Sequence, residues 1–262
     1  MELIDTHCHL TMKAYEGRLE GVLARAREAG VTRWITVASE VADSRAVVGL
    51  CEKYQGMYGT VGVHPHEAGK AEAGYIEELR KLSRGAKVCA IGEVGLDYHY
   101  EFSERRPQQR VLREQLELAG QEGLPVVVHC REAFADCMGI LREWQNKQVN
   151  VVFHCFMEGV AELKEVLDRG WYISLGGILT FKKAEKMRQV AGYVPLERVL
   201  LETDCPYLAP EPKRGKFPNE PAWMVHTAAK LAETRGMNGK EIAEVVEQNS
   251  RYFFKLDTIE KK

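Results

Sequence analysis

The sequence predicts a single (β/α)8 barrel domain over residues 1–262, with one extra helix near the C-terminal end. Two observations lead to this prediction. Eight short apolar runs alternate strictly with segments of helical period. The runs are also almost uninterruptedly apolar, which is typical of parallel strands covered by helices, and eight such units close a barrel. A chain of 262 residues with 45% apolar composition can fill the core of such a domain.

The predicted elements follow one another as strand and helix along the whole chain. The strands are predicted over residues 2–5, 33–38, 58–63, 88–92, 125–129, 150–154, 171–175 and 198–202. The intervening segments carry apolar residues at spacings of three and four, with polar residues opposite. They predict helices over residues 15–29, 41–55, 73–84, 104–122, 132–146, 158–169, 183–192 and 221–235. The additional helix is predicted over residues 239–248.

Charge and hydropathy exclude several classes of protein. With 36 basic and 38 acidic residues, the formal net charge is -2, so no global positive field exists to hold duplex DNA by its phosphates. No apolar run approaches the roughly 18 residues that would suggest a membrane span. The first strand begins at residue 2 or 3, which leaves no room for a signal peptide before it. We therefore expect a cytoplasmic protein without membrane attachment.

Seven cysteines without a C-x-x-C pair indicate reduced thiols rather than disulfides. Four of them stand beside metal-capable residues: Cys8, Cys130, Cys155 and Cys205. Successive side chains on a strand point to opposite faces. We therefore expect these cysteines to be small buried hydrophobic residues under the helices, not metal ligands.

Metal-capable side chains recur at the predicted C-terminal ends of the strands. They are His7, His9, His64, Glu93, His129, His154 and Asp204. Barrel enzymes place their chemistry at these strand ends, so the side chains should converge there. A single histidine after a strand is usually a satisfied polar residue, but seven such side chains are hard to explain structurally.

The spacing of these side chains predicts two metal ions. His7 and His9 are two residues apart and should share one ion with Asp204, because strand eight neighbours strand one. His129 and His154 end neighbouring strands and should serve the other ion. Glu93 can bridge the two ions through its two oxygens. Two ions held in this way share a water molecule and lower its pKa, which is a recognised hydrolytic device.

The donor types restrict the metal without identifying it. Imidazoles favour zinc or manganese, whereas the carboxylates also tolerate magnesium. Hydrolysis by metal-activated water needs no protein nucleophile. In agreement, the sequence has no G-x-S-x-G elbow, no G-x-x-x-x-G-K-[ST] loop and no G-x-G-x-x-G fingerprint.

Six ordered segments resemble the signatures of the TatD family of metal-dependent deoxyribonucleases, which belong to the amidohydrolase-like barrels. The segments are DTHCHL, GVHPHE, AIGEVGLDYH, VHCRE, HCFMEG and LLETDCPYLAPEPKRGKFPNEP. The resemblance spans nearly the whole chain. It implies two divalent cations on His7, His9, Glu93, His129, His154 and Asp204. It also implies cleavage of phosphodiester bonds in DNA, in some members as an exonuclease acting at an accessible 3′ end.

Further residues are candidates for catalysis or for binding the substrate. Glu202 shares a strand face with Asp204 and could orient a metal-bound histidine. His64 is a candidate contact for a phosphate oxygen or the leaving group, and His66 is a weaker one. Arg131 and Arg214 lie on loops over the strand ends and could meet phosphates. The aromatic residues after Glu93 could stack on a base or cap the barrel.

The sequence leaves two alternative functions open. One is an amidohydrolase-like enzyme for a small amide, lactone or phosphoester; such enzymes often carry a modified lysine where this chain has Glu93. The other is a binding protein with a structural metal, although structural zinc sites are normally closed by four ligands. For the exonuclease we expect single-stranded or frayed DNA ends as substrate, no obligate protein partner and a monomer.

Overall fold

The computed structural model describes residues 2–144 and 149–256. In these residues eight parallel strands follow one another in chain order in the sheet, and helices alternate with them. The predicted (β/α)8 fold class is therefore confirmed. The strands are β1 (Leu3–Cys8), β2 (Val31–Thr36), β3 (Met57–Val61), β4 (Val88–Asp97), β5 (Val126–Arg131), β6 (Val151–Phe153), β7 (Tyr172–Leu175) and β8 (Val199–Leu201).

The helices occupy the segments that the sequence assigns to them, but the last helix runs on to Phe254, beyond its predicted end at residue 248. They are α1 (Leu19–Glu28), α2 (Val41–Lys53), α3 (Tyr75–Ser83), α4 (Arg105–Glu122), α5 (Phe134–Glu143), α6 (Val160–Leu167), α7 (Glu185–Tyr193), α8 (Met224–Arg235) and the additional α9 (Gly239–Phe254). Residues 145 and 146 of the helix predicted over 132–146 lie outside the described residues. None of the helices that the structure describes is long and apolar enough to cross a membrane.

The structure forms two compact units. One consists of Met1–Thr36 and Cys155–Tyr252, and the other of Val37–His154 and Phe253–Lys262, each within its described residues. Strands β1, β2, β7 and β8 belong to the first unit and β3 to β6 to the second. Strands β1 and β4 are buried along their whole length, whereas the last three residues of β5 are only half-buried. The assignment of residues 1–262 to a single domain stays a prediction.

Strand β4 differs most from its predicted bounds. It continues from Val88 to Asp97, whereas the sequence places its end at residue 92. Glu93 therefore lies inside a strand and not at its end. The pairing of β4 with β5 shifts register between Ile91 and Val94 and then continues from Val94 to Asp97. Irregularities of this kind re-aim side chains and are frequent beside active sites.

Glycines allow β3, β4 and β5 to approach one another closely. A Cβ atom added to Gly62 would lie 2.8 Å from the carbonyl of Gly92, and one added to Gly92 would lie 2.7 Å from Cβ of Val127. Gly95 is the tightest position, because its added Cβ would lie 1.9 Å from the carbonyl oxygen of His129. Its φ of 149° is also one that other residues rarely adopt.

The cysteines are all free thiols, as predicted. Cys8 and Cys205 are buried, in agreement with the expected packing role. Cys130 and Cys155 are only half-buried, so the prediction of full burial is wrong for these two. The reason is clearest for Cys155, which lies beyond the end of β6 with a φ of 43°, where strand alternation no longer fixes the direction of the side chain.

The packing at Gly95 makes a stability prediction. Gly95→Ala should lower the free energy of unfolding by about 3 kcal/mol, because the new methyl group must displace the backbone of β5. Gly49→Ala is the matched control: Gly49 lies in α2 with no atom near its added Cβ. The control should be neutral or stabilising by about 0.5–1 kcal/mol. Urea unfolding measures both, and equal stability of the two variants would contradict the close-packing argument.

Candidate active site

The first unit holds one group of metal-capable side chains, which we call cluster A: His7, His9 and Asp204. The two imidazoles face each other with their Nε2 atoms 3.3 Å apart. The Oδ1 atom of Asp204 lies 3.4 Å from Nε2 of His9 and 3.8 Å from Nε2 of His7. His7 is fully buried and His9 nearly so. The structure thus brings together three ligands that the sequence assigns to one ion.

Backbone hydrogen bonds fix cluster A at the ends of β1 and β8. The amide of Asp204 donates to the carbonyl of His7 at 2.9 Å, and the amide of His9 donates to the carbonyl of Cys205 at 2.8 Å. Asp204 has a φ of 52°, in the left-handed region that non-glycine residues rarely occupy. Such conformations persist where the surrounding structure over-determines them, often at functional sites.

Asp5 holds the segment that leads into Asp204. Its carboxylate accepts hydrogen bonds from the amide and the hydroxyl of Thr203, at 3.0 and 2.5 Å. Complete burial raises the pKa of Asp5 to about 7, although the hydrogen bonds from Thr203 oppose this rise. The sequence alone left its role undecided between a structural hydrogen bond and support of the metal site. These contacts show Asp5 holding the residue immediately before Asp204.

Glu202 is fully buried and directly follows the end of β8 at Leu201, so the predicted strand face shared with Asp204 is not formed. Its Oε2 atom accepts a hydrogen bond from the hydroxyl of Ser174. The same hydroxyl accepts a hydrogen bond from the amide of Cys155 at 3.2 Å. Glu202 therefore helps to order the chain directly after His154. Its predicted role in orienting a metal-bound histidine stays a prediction.

The second unit holds a larger group, which we call cluster B: His64, Glu93, His129 and His154. All three imidazoles point at one oxygen of Glu93. Oε1 of Glu93 lies 2.7 Å from Nδ1 of His129, 2.7 Å from Nε2 of His154 and 3.4 Å from Nε2 of His64. Nδ1 of His129 and Nε2 of His154 are themselves 3.2 Å apart.

Both clusters have the donor chemistry of a divalent-cation site. Ring nitrogens face ring nitrogens at 3.2–3.3 Å, an arrangement in which a cation can accept the lone pairs that face each other. The candidate groups in the described residues contain imidazole and carboxylate donors and no cysteine sulfur. This composition suits zinc or manganese and tolerates magnesium. The residues therefore fit the metal that the sequence predicts.

Asp97 is a component of the site that the sequence analysis missed. Its Oδ2 atom accepts hydrogen bonds from Nε2 of His129 at 3.0 Å and from Nε2 of His66 at 2.9 Å. Burial alone would raise the pKa of Asp97, but hydrogen bonds from His129, His66 and the Tyr100 backbone outweigh it and hold the pKa below its usual range. A carboxylate behind a metal-binding histidine fixes the ring and its tautomer. The available signal was the continuation VGLD after Glu93, which extends β4 to this residue.

Burial favours the neutral form of His64. Burial lowers its pKa to about 4, against the opposing effect of Glu93. Its Nδ1 atom accepts a hydrogen bond from the amide of His66 at 3.1 Å, so the neutral ring carries its proton on Nε2. That N–H faces Glu93 and can donate to a substrate oxygen. His129 behaves differently: burial lowers its pKa, but its hydrogen bonds to Asp97 and Glu93 outweigh burial and raise it.

The two arginines proposed as phosphate contacts both lie over aromatic rings. The guanidinium of Arg131 is 4.6 Å from the ring centre of Tyr100, in the second unit. The guanidinium of Arg214 is 4.1 Å from the ring centre of Phe181, in the first unit, and Arg214 is exposed. Stacking of this kind leaves the edge N–H groups of a guanidinium free to bind an anion. Their contact with phosphate stays a prediction.

Comparison with known proteins identifies the family. The family model described as TatD related DNase matches residues 4–255. The chain belongs to the TatD family. A metal-dependent hydrolase of Bacillus subtilis, YabD, is 36% identical over 255 residues, which cover 97% of this chain and 100% of the relative. The Edwardsiella piscicida protein named 3'-5' ssDNA/RNA exonuclease TatD is 36% identical over 259 residues, with 97% and 100% coverage.

A solved structure agrees with this membership of the TatD family. The TatD homolog YJJV from Escherichia coli k12 superposes with a TM-score of 0.89 at 34% identity, over 97% of this chain and 98% of that one. A hydrolase of the TatD family from Entamoeba histolytica gives a TM-score of 0.88 at 26% identity, with 97% and 98% coverage. The chain is therefore a metal-dependent hydrolase, an enzyme that acts on ester bonds, with the TatD barrel fold.

The contacts of Asp97 lead to a test of its role in this TatD-family site. Asp97→Asn should weaken divalent-metal binding by about 10- to 100-fold, because the amide cannot accept the ring proton of His129 as the carboxylate does. Its Oδ1 atom can still accept the amides of His99 and Tyr100, so the fold should survive. Titration of metal-free protein with Zn²⁺ or Mn²⁺ measures the effect.

The control for this experiment is Asp136→Asn. Asp136 is an exposed carboxylate of the same unit, bonded to Tyr98 and Gln109 rather than to an imidazole. Its removal should leave metal affinity unchanged. An Asp97→Asn protein with the metal affinity of the wild type would show that Asp97 does not orient His129.

Proposed function

We propose that this TatD-family hydrolase cleaves phosphodiester bonds of nucleic acid, releasing nucleotides from the 3′ end of single-stranded or frayed DNA. The observation that carries the proposal is cluster B, where three imidazoles point at one buried carboxylate oxygen at 2.7–3.4 Å. Relatives that are 32–36% identical over at least 96% of this chain are named 3'-5' ssDNA/RNA exonucleases. Their names support the choice of substrate and polarity.

The proposed cofactor is a pair of divalent cations. His7, His9 and Asp204 would hold one, and His129 and His154 would hold the other together with Glu93. Bound cations of this kind act as Lewis acids that polarise a phosphoryl oxygen and lower the pKa of a water molecule. The identity of the cations as magnesium, manganese or zinc, and the bridging of both by Glu93, stay predictions.

The protein side chains have separate parts in the proposed reaction. The Nε2–H of neutral His64 can donate a hydrogen bond to a phosphate oxygen and so stabilise the charge that builds up there during attack. Asp204 is the half-buried carboxylate of cluster A, and it can accept the proton that the attacking water loses. Asp97 holds His129 and His66 in place. The leaving 3′ oxygen takes its proton from solvent.

Burial and charge both favour an end of a flexible strand. Glu93 is 2% exposed, so a phosphodiester must reach a deeply placed carboxylate to be cleaved. A terminal nucleotide of a single strand can do so far more easily than a stiff duplex. The formal charge of -2 agrees, because it offers no extended cationic track for duplex DNA. The cytoplasmic location, the monomeric state and the absence of an obligate protein partner stay predictions.

The role of Glu93 has a direct test in metal counting. Glu93→Ala should weaken the binding of both ions and remove most hydrolysis, whereas His129→Ala should mainly empty one site. The control is Glu77→Ala, which removes a 65% exposed glutamate of α3 and should change neither quantity. Elemental analysis of the purified proteins gives the number of ions per chain. A Glu93→Ala protein that keeps two ions and full activity would contradict the assignment.

End-directed cleavage can be tested with a linear single strand and a covalently closed circle of the same sequence. We expect rapid degradation of the linear strand and at least 100-fold slower loss of the circle, because the closed strand has no end to enter the site. A label at the 5′ end should appear in a ladder of progressively shorter strands. Equal rates on the two substrates would indicate an endonuclease. Cleavage of neither, with turnover of small esters or amides, would favour the small-substrate hydrolase.

A further inference from the structure

The loop between β4 and α4 exposes two aromatic rings beside cluster B. The rings of Tyr100 and Phe102 are parallel, with an angle of 4° between their planes and 5.5 Å between their centres. Tyr100 is 49% exposed and Phe102 is 71% exposed. These exposures argue against the alternative that the two rings cap the barrel. Most of the Phe102 side chain is therefore accessible to solvent and does not contribute to the core.

Buried residues on both sides of the pair hold the loop in one conformation. On the N-terminal side, Oδ1 of Asp97 accepts the amides of His99 and Tyr100 at 3.0 and 2.9 Å. On the C-terminal side, the hydroxyl of Ser103 donates to the carbonyl of His66 at 2.7 Å and accepts the amide of Gly69 at 2.9 Å. A ring that is exposed on so tightly held a loop is preorganised for contact with a ligand.

His66 connects these rings to the metal-capable side chains. Its ring meets Phe102 edge to face at 4.8 Å between centres and lies 6.1 Å from the ring of His129. Its Nε2 atom donates to the same oxygen of Asp97 as His129 does. The imidazole of His66 therefore contacts Phe102 and also lies close to His129 of cluster B.

Arg131 supplies a positive charge at the same place. It ends β5 two residues after His129, and its guanidinium lies over Tyr100. An exposed π-face, an adjacent guanidinium and a nearby hydrolytic centre together match the parts of one nucleotide: a flat base, an anionic phosphate and a bond to be cleaved. A protein partner would require a far larger apolar patch than two rings.

From these contacts we propose that Phe102, supported by Tyr100, is a stacking platform for an unpaired nucleobase next to the scissile phosphodiester. The platform sets the preference for single-stranded substrate, because a base that remains paired and stacked in a duplex cannot place its face on Phe102. Stacking is tolerant of base identity, so the platform selects unpaired strands without selecting a sequence. The inference rests on the proposed nuclease function.

The test combines Phe102→Ala with removal of single bases from the substrate. Linear strands carry one abasic residue at the first, second or third position from the 3′ end, and KM and kcat are measured for release of the first nucleotides. For the wild type, the abasic residue at one position should raise KM by about 5- to 140-fold, which corresponds to ~1–3 kcal/mol of base–aromatic stacking. Phe102→Ala should raise KM for the intact strand by a similar factor, with little change in kcat.

The decisive quantity is the coupling between the two changes. In Phe102→Ala the abasic strand should be cleaved as well as the intact one, and as well as the wild type cleaves the abasic strand. Phe102→Trp keeps an aromatic ring at this position and should keep the low KM of the wild type, in contrast to Phe102→Ala. Tyr252→Ala is the matched control, since Tyr252 is 72% exposed on α9, and it should behave as the wild type.

The outcomes separate the two proposals. If strands are cleaved but the penalty for the abasic residue is the same in the wild type and in Phe102→Ala, the platform is refuted and the nuclease function stands. An effect of Tyr252→Ala as large as that of Phe102→Ala would refute it as well. If no strand is cleaved under any metal condition, the nuclease function fails and the platform falls with it.

Discussion

The close approach of β4 to β5 at Gly95 is the constraint on which cluster B depends. Glu93 and Asp97 lie two residues on either side of this glycine, and both carboxylates reach the ring of His129, at 2.7 and 3.0 Å. A side chain at position 95 would collide with the backbone of His129 itself. Both carboxylates can bond to the ring of His129 only because position 95 carries no side chain that would push β4 and β5 apart. Glycine here is required by the distance between backbones.

The two clusters are built by different means. Cluster A relies on backbone hydrogen bonds that tie the ends of β1 and β8 together, and its carboxylate sits in a left-handed conformation. Cluster B relies on side chains, with Asp97 fixing the imidazoles of His129 and His66 from behind. Both solutions place nitrogen donors so that they face one another. Such an arrangement is unfavourable for the bare protein and becomes favourable when a cation accepts the lone pairs.

Sequence reasoning found the candidate ligands because metal chemistry restricts residue types and barrel topology restricts where they stand. In the structure His9, His154 and Asp204 follow their strands and His7 and His129 lie in the last residues of theirs, close to the strand ends that the apolar runs of the sequence predict. Asp97 was missed because strand four was predicted to end at residue 92, whereas β4 shifts register between Ile91 and Val94 and continues to Asp97. Local propensity carries no information about such a shift, which depends on glycine contacts with neighbouring strands. The exposure of Cys155 escaped an argument based on alternation because this residue lies beyond the end of β6 with a φ of 43°.

Asp97 has a consequence for how the site responds to its ligands. One of its oxygens orders the backbone of the loop between β4 and α4, and the other orders the ring of His129. The conformation of the loop and the orientation of the His129 ring are therefore energetically coupled through Asp97. A ligand that stabilises this loop in its present conformation also favours the present orientation of His129. By thermodynamic reciprocity, a ligand that binds His129 stabilises the loop to the same extent. A ligand that contacts this loop and a ligand that binds His129 would thus be coupled through a single carboxylate, without any movement of the β-strands.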